Sequence, residues 1–221
     1  AHLTELASHG YLVIAPGKLY PAGQNAPRPE RGPDGKYPPQ ATTAAQVRAG
    51  IDWALAENKR QGSRYFGRID PAAIAVAGHS CGGLQALQVA ADPRVKTVLI
   101  HNSGIFPEGM SSITGLDLDK ASLAHVHTPI IYILGGPTDQ AQPNGSDDFR
   151  RLNRVPAVLV DLPTGHGGTF ARPNGGVVAQ IAVDWLEWQL RGNRTAGRTF
   201  TGADCRLCNR TDVRIERKRI S

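Results

Sequence analysis

The apolar residues of this chain fall into short runs with little alternation, at residues 74–77, 95–100, 130–134 and 157–162. Runs of this length, bounded by Gly, Pro, Asn and Asp, predict strands covered on both faces, as in a parallel sheet. A further run, Tyr11, Leu12, Val13, Ile14 and Ala15, is closed off by Gly10 and Pro16 and predicts another short strand. Between these runs the period changes to that of helices. Val47, Ile51 and Leu55 recur every four residues, giving a helix with one buried stripe that starts from a Thr42 or Thr43 cap and runs to about Lys59. Val178, Ile181, Trp185 and Trp188 mark a last helix over about 176–190, and shorter helices are expected over 3–8, 84–91 and 147–153. Residues 16–40 are dense in Pro and Gly and read as a long surface loop. Residues 102–128 are mixed and read as part of a pocket wall. Strands alternating with helices predict an α/β fold with a mostly parallel sheet and helices on both faces, without internal repeats.

One junction between a strand and a helix carries chemistry. Gly78-His79-Ser80-Cys81-Gly82-Gly83 follows the 74–77 run and precedes the 84–91 run. G-x-S-x-G between a strand and a helix is the pattern of a nucleophile elbow, a sharp turn that lifts the serine hydroxyl above the sheet. Gly78 and Gly82, two positions either side of Ser80, are expected to make room for the crowded backbone. The first amides of the helix, that of Cys81 foremost, point at the same place and would stabilise negative charge developing there.

A serine hydroxyl at neutral pH needs an imidazole base, and the imidazole needs an orienting carboxylate. Of seven histidines, His166 alone follows two further strands, in the Gly-rich loop after the 157–162 run. Asp139 follows the 130–134 run and the turn Gly135-Gly136-Pro137-Thr138, beyond the carboxyl end of a strand, where groups that bind ligands collect in open α/β sheets. Asp147 and Asp148 compete for the acid role but read as the start of a helix, where carboxylates suit the dipole. Asp117 and Asp119 are a weaker alternative.

The stretch Arg68-Ile69-Asp70-Pro71, then Ile74-Ala75-Val76-Ala77, then GHSCGG, resembles the approach to the elbow in α/β-hydrolases. Within that family the chain is most similar to the dienelactone-hydrolase-like, chlorophyllase and cutinase-like or polyester-hydrolase branch, over about residues 1–190. The resemblance implies ester hydrolysis with Ser80 as nucleophile, Asp139 as acid, His166 as base and the Cys81 amide in the oxyanion hole. Dienelactone hydrolases proper have a cysteine nucleophile, whereas here Ser80 stands there with Cys81 beside it. In the family the 11–15 strand would be the fourth of eight, and a preceding strand supplies a second oxyanion amide. The expectation is therefore an N-terminally truncated α/β-hydrolase, with the 11–15 strand at one end of the sheet beside a gap or paired directly with 74–77. Two rival readings are a serine peptidase of the prolyl-oligopeptidase type and a catalytically silent binding module on the same fold.

A chain of 221 residues suits one core. The expected division is a catalytic domain over 1–193 and a basic tail over 194–221. From Arg191 onward there are nine Lys or Arg against three Asp or Glu, while the rest of the chain carries sixteen of each sign. The net charge of +6 thus sits wholly in the segment from Arg191 onward, which reads as a solvated end rather than a nucleic-acid site. No run approaches the ~20 apolar residues of a membrane span. Cys205-x-x-Cys208 lacks the second ligand pair of a zinc site and the βαβ setting of a redox motif, leaving a local disulfide as one reading. His125 and His127 read as polar structure at a helix end. The expected chemistry requires no metal or organic cofactor, and its partner is a small or polymeric ester.

Overall fold

The computed structural model describes residues 1–18 and 29–220. Its helices are α1 (His2–Ser8), α2 (Ala44–Lys59), α3 (Cys81–Val89), α4 (Gln142–Arg151), α5 (Gly176–Arg191) and α6 (Arg194–Gly197). Its strands are β1 (Ile74–His79), β2 (Val95–His101), β3 (Ile130–Leu134), β4 (Ala157–Asp161) and β5 (Arg214–Lys218), hydrogen-bonded in that order across one sheet. The pairs from β1 to β4 are parallel, and β4 with β5 is antiparallel. This is the α/β architecture, with helices on both faces, that the alternation of apolar runs predicts.

The unbroken apolar runs divide residue by residue between two cores. Val98, Ile100, Ile130, Tyr132, Leu134, Ala157 and Leu159 face one core, with Leu84 and Leu87 of α3 and Phe149 of α4. Leu99, Ile131, Ile133, Val158 and Val160 face the other, with Val178, Ile181 and Trp185 of α5. Successive side chains of a strand point to opposite faces, so a strand buried on both sides needs apolar residues throughout. α2 starts on a capping box, in which the Thr43 hydroxyl accepts from the Gln46 amide and the Gln46 side chain accepts from the Thr43 amide. The sequence left the choice between Thr42 and Thr43 open.

Three expectations change. The 11–15 segment is not a strand, so β1 forms one edge of the sheet. A β-strand exists through its neighbours' backbone groups, and among the described residues none pairs with this segment. It is held instead by side chains. Tyr11 donates to Glu187 at 2.9 Å and lies under the Arg191 guanidinium, and Ile14 lies against Gly50 of α2. The second change concerns Asp147 and Asp148, which lie in the last part of α4 rather than at its start. Pro143 lets the helix begin earlier, at Gln142.

The third change is the segment after 193, which is no solvated end. β5 completes the sheet, and Phe200, Cys205 and Leu207 are buried in the α5-side core. Phe200 packs edge-on against Trp185 and stacks on Trp188. Cys205 and Cys208 form a disulfide. The basic residues are anchors. The Lys218 ammonium donates to the carbonyls of Phe149, Arg150 and Leu152 at the end of α4, and Arg217 donates to those of Phe200 and Gly202. Cations suit the carbonyl end of a helix, so positive charge here serves cohesion. The expected loop over 16–40 falls partly outside the described residues. Within 29–40 the only regular pairing is an isolated bridge between Tyr37 and Ile113.

Candidate active site

β1 ends in the elbow. Ser80 has φ 53° and ψ −120°, a strained conformation for a residue with a side chain. The glycines that permit it are not quite the expected pair. A Cβ on Gly78 would lie 2.0 Å from the Gly82 carbonyl oxygen, and one on Gly83 would lie 2.5 Å from the Ser103 Cβ. A Cβ on Gly82 would meet nothing within 4 Å. The crowding is therefore between β1 and α3, and between α3 and the end of β2. Gly83 carries the second constraint that the motif ascribes to Gly82.

The loops after β3 and β4 converge on this turn. The His166 Nε2 lies 2.9 Å from the Ser80 Oγ, and its Nδ1 lies 2.7 Å from the Asp139 Oδ1. The structure thus brings Ser80, His166 and Asp139 into one hydrogen-bonded line. The Asp139 carboxylate is fully buried. Its Oδ1 also accepts from the Ala141 amide at 3.0 Å, and its Oδ2 accepts from the Gly135 amide at 3.0 Å and the Asn102 Nδ2 at 2.9 Å. Burial alone would raise its pKa. The bonds from His166, Ala141, Asn102 and Gly135 outweigh burial and hold it at about 2. At neutral pH Asp139 is an anion aimed at one imidazole nitrogen. Cys81 opens α3, so its amide belongs to the orphan first turn of that helix, directly after Ser80.

The competing carboxylates have other partners. Asp148 pairs with Lys120 at 2.6 Å and accepts from the Ile105 amide and the Tyr132 hydroxyl. Burial, only partly offset by Lys120, pushes its pKa up to about 6. Asp147 pairs with Lys120, Arg150 and Arg151, and Asp119 caps the short 3₁₀ turn Lys120–His125. The Asp117 carbonyl accepts from Gln88. His125 ends that same turn. Among the described residues no cluster of His, Cys, Asp and Glu is arranged to hold a metal ion.

Two contributors were missed in the sequence. The His79 Nε2 lies 2.7 Å from the backbone carbonyl of His166, and its ring is 5.1 Å from the His166 ring. Asn102, the residue after β2, bridges Asp139 and the Gly165 carbonyl. The readable signal for Asn102 was its place just past the carboxyl end of a strand. Two cavities of about 270 and 260 Å³ among the described residues do not border Ser80. The second is lined by Gln40, whose side-chain amide donates to the Cys81 carbonyl, and by Ile113 and Leu116 of the 102–128 stretch.

No family model and no curated protein matches the sequence. Solved structures align with it at low identity. A complex of pOPH with pNPB is 13% identical, covers 87% of this chain and 70% of its own, and gives a TM-score of 0.47. Native sOPH is likewise 13% identical, covers 86% of this chain and 70% of its own, with the same TM-score. Among the described residues no helix is long and apolar enough to cross a membrane.

Proposed function

We propose that this chain is a serine hydrolase of the α/β-hydrolase type that transfers the acyl group of a carboxylic ester to water. The observation that carries the reading is the line from Asp139 through His166 to Ser80, at 2.7 and 2.9 Å, on a strained turn at the head of a helix. His166 takes the Ser80 proton through Nε2 as the oxygen attacks the ester carbonyl. Asp139, ionised at neutral pH, holds the Nδ1–H tautomer and stabilises the cation that forms. The Cys81 amide and the start of α3 stabilise the oxyanion. His166 then returns the proton to the leaving alkoxide, activates a water, and the acyl-enzyme is cleaved.

The test is turnover of p-nitrophenyl esters of increasing acyl length beside matched p-nitroanilides. The proposal expects ester turnover that disappears in Ser80→Ala. Anilide cleavage matching or exceeding ester cleavage would move the reading to a peptidase. Turnover that survives Ser80→Ala would remove Ser80 from the chemistry.

A further inference from the structure

We propose that Asn102 is a positioning residue that sets the acid and the base of the site against each other. This rests on the role of Ser80, His166 and Asp139 given above. Asn102 is 1% exposed, and its backbone has φ 45°, in the left-handed region that Asn tolerates better than most residues. That conformation turns the chain out of β2, where His101 is paired with His79 of β1, and the Asn102 amide donates to the Ile133 carbonyl at 2.8 Å. The side chain is then fixed between the loops that follow β3 and β4. Its Nδ2 donates to the Asp139 Oδ2 at 2.9 Å and to the Gly165 carbonyl at 3.0 Å. One amide group therefore binds the acid directly and the base through the peptide next to it.

The surroundings leave this group no freedom. The Gly165 amide donates to the Gly135 carbonyl at 2.8 Å. A Cβ on Gly135 would come within 2.7 Å of the Asn102 Nδ2 and 2.1 Å of the Gly165 oxygen. The bond from His79 to the His166 carbonyl restrains the next peptide from the β1 side. The Asn102 Oδ1 is buried without a partner among the described residues. An unpartnered buried acceptor costs stability, so the amide is kept here for what its other end does. The chemistry needs the imidazole held within a fraction of an ångström of both neighbours, and a side chain that binds both loops supplies that restraint.

The test compares full-length Asn102→Gly and Asn102→Asp with the unaltered protein. Glycine accepts the left-handed backbone without the amide. Aspartate keeps size and backbone but sets a carboxylate beside Asp139. Both variants should react with a fluorophosphonate at Ser80 at least tenfold more slowly. They should lose kcat for p-nitrophenyl acetate by a similar factor, with KM within twofold. Thr97→Val, which removes a buried bond from Trp185 far from the site, should lower the melting temperature yet label at the unaltered rate. In the unaltered protein, the Asn102 side-chain amide resonance should move on phosphonylation of Ser80, a readout independent of any variant folding. Labelling of folded Asn102→Gly at the unaltered rate, or an Asn102 amide resonance that ignores phosphonylation, would overturn the proposal. Failure of the unaltered protein to label at Ser80 would instead overturn the serine hydrolase reading, and the role of Asn102 with it.

Discussion

The two ends of the sheet are built to opposite rules. At one edge, β1 carries no charge and runs Ile74, Ala75, Val76, Ala77 into the elbow. At the other edge, β5 reads Arg214, Ile215, Glu216, Arg217, Lys218. Charged edge strands resist further strand addition, and β5 also uses its cations to tie down α4 and the 200–202 turn. Ser80 and Asn102, just past the ends of β1 and β2, both have positive φ, as does Arg219 just past β5, while the His101 Nδ1 and Asn102 Oδ1 are buried without partners among the described residues. The β5 end is closed by a disulfide, aromatic stacking and cations paired with carbonyls. If Ser80 works as proposed, chemistry and cohesion are assigned to different parts of one sheet, and substitutions at the two ends should separate activity from stability.

The sharpest separation comes from the site itself. Ser80→Ala or His166→Ala should lower ester kcat by about 10⁴- to 10⁶-fold with the melting temperature nearly unchanged, measured by steady-state kinetics beside thermal denaturation. Asp139→Asn should cost about 10⁴-fold, because the amide no longer enforces the productive tautomer. Full activity in Asp139→Asn would mean that the line through His166 is not the working one.

The opposite result is expected at the β5 end. Phe200→Ala should cost about 3–5 kcal/mol of stability, read by urea denaturation, while the folded fraction reacts at Ser80 at the unaltered rate. Replacing Cys205 and Cys208 together by Ala should cost about 2 kcal/mol, since the closed loop is short. A loss of ester turnover in the folded fraction of either variant would join the two ends and break the comparison.

The smallest effect concerns pH. Burial lowers the pKa of His101 well below its usual value of 6.5. The neutral ring therefore contributes stability that is complete above pH 6.5 and is lost as pH falls below it. Asp148 acts in the reverse sense, because its pKa raised to about 6 favours folding as pH falls from 6 toward 3.8. His101→Phe should thus flatten the acid side of the stability curve by at most about 1.4 kcal/mol per pH unit. An unchanged acid side would show that His101 is not titrating in that range.

Much of this was legible in the sequence because it depends on local pattern. Each apolar run from 74 to 162 became a strand, and the elbow, the Asp139 loop and the His166 loop lie at strand ends, as their Gly-rich flanks imply. The rest depended on contacts distant in sequence. The 11–15 run has the composition of a strand but no backbone partner among the described residues, and composition cannot report a missing partner. The β5 segment has the charge of a solvated tail, but its cations meet carbonyls at the end of α4 and at the 200–202 turn. Asn102 and His79 bond to the carbonyls of Gly165 and His166, and no side-chain motif records a bond to a backbone. The exchange of Gly82 for Gly83 at the elbow depends on Ser103, a residue twenty positions further on.

The most direct measurement is the site of covalent modification after treatment with a fluorophosphonate, read by intact mass and peptide mapping. The account predicts one adduct per chain, on Ser80, absent from Ser80→Ala and strongly slowed in His166→Ala. An adduct on another residue, or none on folded protein, would contradict it.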